Sequence, residues 1–256
     1  MKLATWNVNS IRARQDRVVA WIQARRPDIL CLQELKVEDE KFPLEAFRGL
    51  GYEITTFGQK TYNGVAILSR APLLDIERGI TDGVDDAQAR FLAGTTQGLR
   101  VLCCYVPNGE AVGTDKFAYK MAWLERLRAY LAPRVRPDVP FALCGDFNIA
   151  PAPEDVYDPV AWEGQCLYSL AERAALGRVR EVGLVDVIRH VHPTGPLYTY
   201  WDYRMLAFQK NRGLRIDHVF VTPALLEQVT GAWVDREERK GKQPSDHAPV
   251  LVEFKD

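Results

Sequence analysis

Nine polar side chains stand where apolar runs stop. Asn7 closes the run 2–8; Glu34 follows Ile29-Leu30-Cys31-Leu32-Gln33; Tyr105 and Asn108 close the run through Val101; Asp146 and Asn148 follow Phe141-Ala142-Leu143-Cys144-Gly145. Asp217 opens Val219-Phe220-Val221, and Asp246 and His247 precede the last apolar run. Strand ends on one side of a sheet are neighbours however far apart they lie in sequence. Singly, an Asp or Asn after a strand is most often a turn or cap residue, and Tyr105 before Pro-Asn-Gly reads as half-buried core. Together they predict one rim holding a Glu, three Asp, three Asn, a Tyr and a His. Carboxylates sharing a rim repel unless a cation sits among them, and all-oxygen ligands favour Mg²⁺ or Mn²⁺ over Zn²⁺. Mg²⁺ keeps waters and takes one or two carboxylates beside a substrate phosphate, so Glu34 with an outer Asp246 suffices. This points to phosphoryl chemistry. A structural Ca²⁺ site would need six to eight oxygens on one local loop, such as an EF-hand, and the sequence has none.

Asp246-His247 is not half of a serine-hydrolase triad, because no GxSxG elbow accompanies it. A carboxylate, expected to be Asp217, can instead fix the tautomer of His247 while its other nitrogen faces phosphate. A general acid or base so placed is worth on the order of 10²- to 10⁴-fold in rate. His190 and His192, between a helical stretch and a loop, read as surface or core residues.

The elements that must position these groups are short. Apolar, β-branched or alternating runs at 2–8, 28–33, 52–57, 64–69, 89–94, 100–106, 141–144, 216–222, 230–234 and 250–254 read as strands. Helical patterns lie at 10–25, where Ser10 caps and Ile11, Val18, Trp21 and Ile22 make one face; at 115–131, where Thr114 caps and Phe117, Met121, Leu124 and Leu127 align; and at 169–176. Pro27, Pro72, Pro107, Pro140 and Pro223 sit at strand edges. No linker or repeat divides the chain, so one domain over 1–256 is expected. About ten strands exceed one comfortable open sheet, which predicts two packed, mostly antiparallel sheets flanked by helices.

Composition sets limits without naming a chemistry. With 47% hydrophobic and 26% charged residues the chain matches soluble globular usage, which excludes disorder and collagen-like structure. A net charge of −1 leaves no global field to recruit nucleic acid or an anionic membrane, so any basic surface must be local. Five Cys without CxxC spacing read as small core residues in a reducing compartment. Polar Asn7 and Asn9 interrupt the start where an export signal needs apolar residues, and no run approaches a membrane span. A cytoplasmic protein with no membrane partner is expected.

The motifs WNVNSIRAR, LCLQELK, YNGVAILSR, CCYVPNG, CGDFNIAP, NRGLRIDHVFV and SDHAPV, in this order from Lys2 to Glu253, make the chain resemble the exonuclease III family of AP endonucleases. That family lies within the endonuclease/exonuclease/phosphatase superfamily, and YDPVAWEGQ with the NRGLRID segment looks like its bacterial branch. The resemblance implies an α/β fold, a four-layer α/β sandwich with the site at one rim. It also implies roles: Glu34 as principal Mg²⁺ ligand with Asn7 nearby and Asp246 acting directly or through water; Asp146 orienting or deprotonating the attacking water; Asn148, Asn108 and Tyr105 at the phosphate and transition state; Asp217 orienting His247. It leaves open whether Asp146 or His247 is the base, and whether one metal ion or two bind. Asn9 departs from members nearer the human enzyme, which carry Asp there, and removes one negative charge.

Residues 198–203, followed by Arg204, Lys210, Arg212 and Arg215, interleave aromatic and basic side chains, as a nucleic-acid surface does. On that interleaving Trp201 and Arg204 count among the substrate contacts, although Tyr and Trp at strand spacing are most often core and Trp201 reads equally well that way. By resemblance, Tyr200, Leu214 and Ile216 form the slot for an abasic deoxyribose turned out of the helix. Arg70, near Tyr62-Asn63-Gly64, and the Lys36 and Lys116 regions are further DNA contacts on the same ground. The expected protein is a monomeric, Mg²⁺-dependent repair nuclease, with Mn²⁺ as a substitute. Its expected substrates are double-stranded DNA with abasic sites, cut on their 5′ side, and 3′ ends, trimmed of blocking groups or degraded 3′ to 5′. Two alternatives share the rim: a phosphodiesterase of the superfamily acting on RNA or a phospholipid, and a catalytically silent DNA-binding protein of the same fold. The NRGLRID segment and the missing export signal weigh against the first, and the intact polar set against the second.

Overall fold

The computed structural model describes residues 1–255. In chain order its strands are β1 (Lys2–Asn7), β2 (Ile29–Gln33), β3 (Glu53–Phe57), β4 (Val65–Ser69), β5 (Leu74–Arg78), β6 (Phe91–Thr96), β7 (Leu99–Tyr105), β8 (Phe141–Asp146), β9 (Val185–Asp186), β10 (Asp217–Val221), β11 (Val229–Val234) and β12 (Val250–Phe254). They form two six-stranded sheets, ordered β11-β12-β1-β2-β4-β3 and β5-β6-β7-β8-β10-β9. Each sheet is antiparallel except for one pair, β1/β2 and β7/β8. A parallel pair needs a crossover, usually helical, and here the crossovers are α1 (Ile11–Arg25) and, after the short α2 (Leu44–Phe47), α3 (Asp115–Leu131). The carboxyl ends of both parallel pairs therefore carry Asn7, Glu34, Tyr105 and Asp146, and β1 packs across from β8.

Alternation along each strand divides the core in two directions. Leu3, Ile29, Cys31, Val101, Cys103, Ala142, Cys144, Val219 and Val250 meet between the sheets. Their neighbours face outward: Ala4, Trp6, Leu30 and Leu32 toward Ile11, Val18, Trp21 and Ile22 of α1, and Leu102, Leu143 and Phe220 toward Trp123, Leu124 and Leu127 of α3. The remaining helical segments are α4 (Pro159–Trp162), α5 (Leu170–Arg180), which packs on the same face as α3, α6 (Val187–Val191) and α7 (Pro223–Leu226). Helix, sheet, sheet and helix make the expected four layers. Strands buried on both faces read as continuous apolar runs, which is why β2 and β8 stand out in the sequence. The Ser10 hydroxyl accepts from Ala13 N at 3.4 Å and the Thr114 hydroxyl from Phe117 N at 3.2 Å, so both expected caps form. Among the described residues no helix is long and apolar enough to cross a membrane.

Two strands have no clear sequence signal. β5 is a largely exposed edge strand of sequence LDIER, and β9 is two residues long. β8 also runs two residues beyond the expected 141–144, through Gly145 and Asp146. A Cβ on Gly145 would lie 1.9 Å from the Cys104 carbonyl oxygen, so only glycine lets this strand reach the rim beside β7.

Arg215 corrects the reading of a basic surface. It is buried on the segment before β10, where its guanidinium grips both oxygens of Asp155 at 2.7 and 3.0 Å and reaches Asp186 at 2.9 Å. The same guanidinium lies 3.0 Å from His218 Nδ1, and His218 Nε2 lies 2.8 Å from the Ile149 carbonyl. Arginine can only donate, so His218 is neutral with its proton on Nε2. Burial first, and then Arg215, push its pKa down to about 4. The unfolded chain therefore takes up this proton near pH 6.5 while the folded one does not. The stability carried by neutral His218 is complete above that pH and is lost as pH falls toward 4, by on the order of 3 kcal/mol. Asp146, whose pKa is raised to about 7, acts with the opposite sign over part of this range, so the quantity to measure is a difference between proteins. Urea midpoints from pH 8 to 5 are expected to fall more steeply for the unaltered protein than for His218→Gln, and parallel profiles would refute the assignment.

Candidate active site

The rim begins at Asn7, the buried last residue of β1. Its amide nitrogen donates to Glu34 Oε1 at 2.8 Å and to Asp146 Oδ2 at 2.9 Å, joining one carboxylate from each sheet. Its oxygen accepts from Asn9 N at 3.0 Å. The Asn7 nitrogen, not its oxygen, thus faces the two carboxylates. Glu34, immediately past β2, has φ 54°, uncommon without glycine, and is pinned by Ser10 N donating to its carbonyl at 2.8 Å.

Asp146 closes β8 and lies opposite Asp217 in the antiparallel register of β10. Its Oδ1 accepts from Asn148 N at 2.8 Å, and its Oδ2 accepts from the Asn148 amide at 3.3 Å as well as from Asn7. His247 Nδ1 is 2.8 Å from Asp217 Oδ2, and its Nε2 is 3.8 Å from Asp146 Oδ2, so the expected Asp217–His247 pair is formed. Asn108 donates to Asn148 Oδ1 at 3.1 Å. Asp246 joins the group through Asn9, whose amide donates to it at 3.0 Å. Ser245, which the sequence reading passed over, donates to the Asn7 carbonyl at 2.7 Å and accepts from His247 N at 3.2 Å. Its place directly before Asp246-His247 was the available signal.

Electrostatics separate the groups. Burial would raise Glu34, but the Lys36 ammonium at 2.8 Å and the Asn7 amide outweigh it and hold Glu34 below the usual carboxylate range. Burial, with Asp217 and Glu34, pushes Asp146 up to about 7 despite His247. Burial disfavours a charged His247, but Asp217, Asp146 and Asp246 override it and push the imidazole up to about 10. Burial, then Glu34 and Asp146, raise Tyr105 well above its ordinary value, so it keeps its O–H at neutral pH. The rim offers an ionised carboxylate, a carboxyl that titrates near neutrality, an imidazolium and a phenol donor.

Glu34, Asp146 and His247 each offer an atom within 4.8 Å of the others'. Two carboxylates in that set fit a hard divalent cation, and the Lys36 ammonium already touches Glu34 and, at 2.6 Å, Asn9 Oδ1. Beyond Glu34 a groove of about 760 Å³ runs past Lys36, Tyr62, Arg90, Tyr105 and Lys116.

The substrate contacts divide. The Tyr200 ring stands 5.0 Å from the His247 ring; Leu214 and Ile216, in the apolar cluster that Tyr200 packs against, are each only 1% exposed, so they back Tyr200 and do not line the open slot expected of them. Trp201 does not belong with them: it is 1% exposed, T-stacked on Phe208 at 5.3 Å, with its indole N–H donated to Asn211 at 3.3 Å. Alternation puts Tyr200 at the rim and Trp201 behind it. The Arg204 side chain is 85% exposed and already held by both oxygens of Asp202. Arg70 is corrected too. β4 runs antiparallel to β2, so Gln33 faces Val65 while Ile29 faces Ser69, which puts Arg70 beside Asp28 at the far end of a strand roughly 17 Å long.

The profile of the endonuclease/exonuclease/phosphatase family matches residues 4–247. The exodeoxyribonuclease III of Haemophilus influenzae is 36% identical over the full length of both chains. The structure of the 3′ phosphatase NExo from Neisseria, bound to a product DNA hairpin, superposes with a TM-score of 0.97 at 43% identity and covers all of both chains. An AP endonuclease from Archaeoglobus fulgidus superposes with a TM-score of 0.96 at 38% identity over 99% of each.

Proposed function

Because this chain belongs to the endonuclease/exonuclease/phosphatase family, among its exodeoxyribonuclease III and AP endonuclease members, and is on that footing a phosphodiester-hydrolysing nuclease of DNA repair, we propose what it cuts. It incises duplex DNA 5′ to abasic sites, removes blocking groups from 3′ ends and degrades duplex ends 3′ to 5′, with Mg²⁺ as cofactor and Mn²⁺ as a substitute. The observation that carries this reading is the Asn7 amide joining Glu34 to Asp146 beside the Asp217–His247 pair.

An in-line attack on a phosphodiester builds charge on the non-bridging oxygens. Tyr105, the free N–H of the Asn108 amide and the His247 imidazolium are the donors placed to meet it, while Asn148, whose amide protons go to the Val106 carbonyl at 3.0 Å and to Asp146 at 3.3 Å, holds Asn108 through its oxygen. Asp146, raised to about 7, takes the proton of the attacking water; His247, raised to about 10, is already protonated. Asp217 keeps the imidazolium oriented. Glu34, with Asp146 and Asp246 near it, would hold Mg²⁺, which when bound supplies Lewis-acid stabilisation of the phosphate. Tyr200, backed by Leu214 and Ile216, is an apolar surface next to the reacting centre. A nucleotide that has lost its base costs least to turn out onto it. The likeness to a 3′ phosphatase supports giving 3′ ends equal place among the substrates.

The test offers three duplexes, one with a tetrahydrofuran abasic analogue, one with a 3′ phosphate and one intact, in Mg²⁺ or EDTA. Incision 5′ to the analogue and release of the 3′ phosphate, both in Mg²⁺ alone, are expected. If neither is processed while an RNA or phospholipid diester is hydrolysed, the DNA reading is wrong.

A further inference from the structure

We propose that the buried ion pair Lys120–Glu172 is a positioning device for this reaction, fixing Asn148 and, through it, Asn108 at the phosphate, and tying both to the apolar cluster behind Tyr200; the proposal rests on the nuclease reading above. Lys120 lies on α3 and Glu172 on α5, and both side chains are 0% exposed. A buried pair of this kind is weak evidence for stability, since its desolvation offsets its attraction and apolar replacements often serve as well. What distinguishes it is where its hydrogen bonds go.

An ammonium has three donors. Lys120 spends one on Glu172 and the others on the carbonyls of Asn108 at 3.0 Å and Asn148 at 2.7 Å. Those are the two residues whose side chains bond each other at the rim. Asn148 also has φ 51°, a left-handed conformation that asparagine tolerates better than other side chains, and its carbonyl there points at the ammonium. Gly109 makes room for this contact, since a Cβ there would lie 3.0 Å from Lys120 Cδ. On the other side, Glu172 accepts from Leu167 N and from Ser169 N, each at 3.0 Å, and from the Ser169 hydroxyl. The Leu167 carbonyl accepts from Ala150 N at 2.8 Å, and the Leu167 side chain packs with Leu214, Ile216 and Tyr200. One ion pair thus sets the two rim asparagines and the apolar cluster behind Tyr200 together. Without the ammonium, the Asn148 carbonyl loses its donor and the Asn108 carbonyl keeps only the weak Cys166 thiol at 3.1 Å; both asparagines are free to drift, and a displacement of about 1 Å can cost on the order of 100-fold.

The double variant Lys120→Met/Glu172→Gln removes both charges at similar volume. It is expected to fold with a lowered melting temperature, since a buried carbonyl loses its donor and the glutamine cannot accept from both Leu167 N and Ser169 N, to bind labelled abasic duplex in EDTA within threefold, and to lose about 100-fold in kcat. Adding Asn148→Ala to it should cost far less than Asn148→Ala costs alone, because the amide is already misplaced. A folded double variant with kcat within threefold of the unaltered protein, or a full additive loss from Asn148→Ala, overturns the proposal. Should the double variant fail to fold, Glu172→Asp keeps both charges while shortening the reach. It is expected to lose about tenfold in kcat with binding in EDTA unchanged, and unchanged kcat there overturns the proposal equally. If the unaltered protein itself leaves the abasic duplex intact, the nuclease reading is what has failed.

Discussion

Asp146→Asn is expected to slow cleavage of an abasic duplex by on the order of 10²- to 10⁴-fold, the range lost with a positioned general base, while the DNA remains bound. The substitution conserves shape and removes two things. Asp146 only accepts: Oδ1 from Asn148 N, and Oδ2 from the Asn7 and Asn148 amides. In the variant, one oxygen can still serve Asn148 N, but the new amide nitrogen then confronts Asn7 Nδ2 from 2.9 Å, donor against donor. The base is lost, and the amide that donates to Glu34 loses a partner. Affinity should hold or tighten, since one negative charge leaves a site that receives a phosphate. Single-turnover rates at saturating enzyme, with anisotropy of a labelled duplex in EDTA, separate the two effects. A rate within tenfold of the unaltered protein would remove Asp146 from the chemistry.

The rim was legible in the sequence for a physical reason. A polar residue at the end of a doubly buried strand is costly unless used, so Asn7, Glu34, Asp146 and Asp217 mark themselves against the apolar runs they adjoin. Their convergence follows from two parallel pairs whose carboxyl ends point the same way, which strand spacing alone does not reveal. Orientation was the harder part. Nothing in the sequence says that Asn7 turns its nitrogen inward, or that Tyr200 faces His247 while Trp201 faces Phe208. Arg215 looked like surface because its partners, Asp155 and Asp186, lie far from it in sequence. Arg70 was misplaced because adjacency to the 62–64 segment ignores the direction in which β4 leaves it. Lys120 was legible and passed over. It sits three residues after Phe117 and four before Leu124, on the apolar face of α3, where an unpaired lysine has no reason to be.

Chelation should be as severe as loss of the base. In EDTA, incision of the abasic duplex is expected to fall below detection, and added Mg²⁺ or Mn²⁺ to restore it. Glu34→Gln locates the effect. Glu34 is ionised at neutral pH, because Lys36 and Asn7 outweigh its burial. Glutamine keeps an oxygen for Asn7 but deletes the charge and turns an amide toward the Lys36 ammonium. Even with full water screening, a unit charge about 4 Å from a divalent ion contributes about 2 kcal/mol, roughly a 30-fold change in affinity. The Mg²⁺ concentration giving half-maximal rate should rise by at least that factor, and calorimetric titration of Mg²⁺ into DNA-free protein should show the same loss. A lower maximal rate with no change in Mg²⁺ demand would mean that Glu34 touches the substrate and that the cation is held elsewhere on the rim. Asp246, linked to Lys36 through Asn9, would then be the carboxylate to replace next.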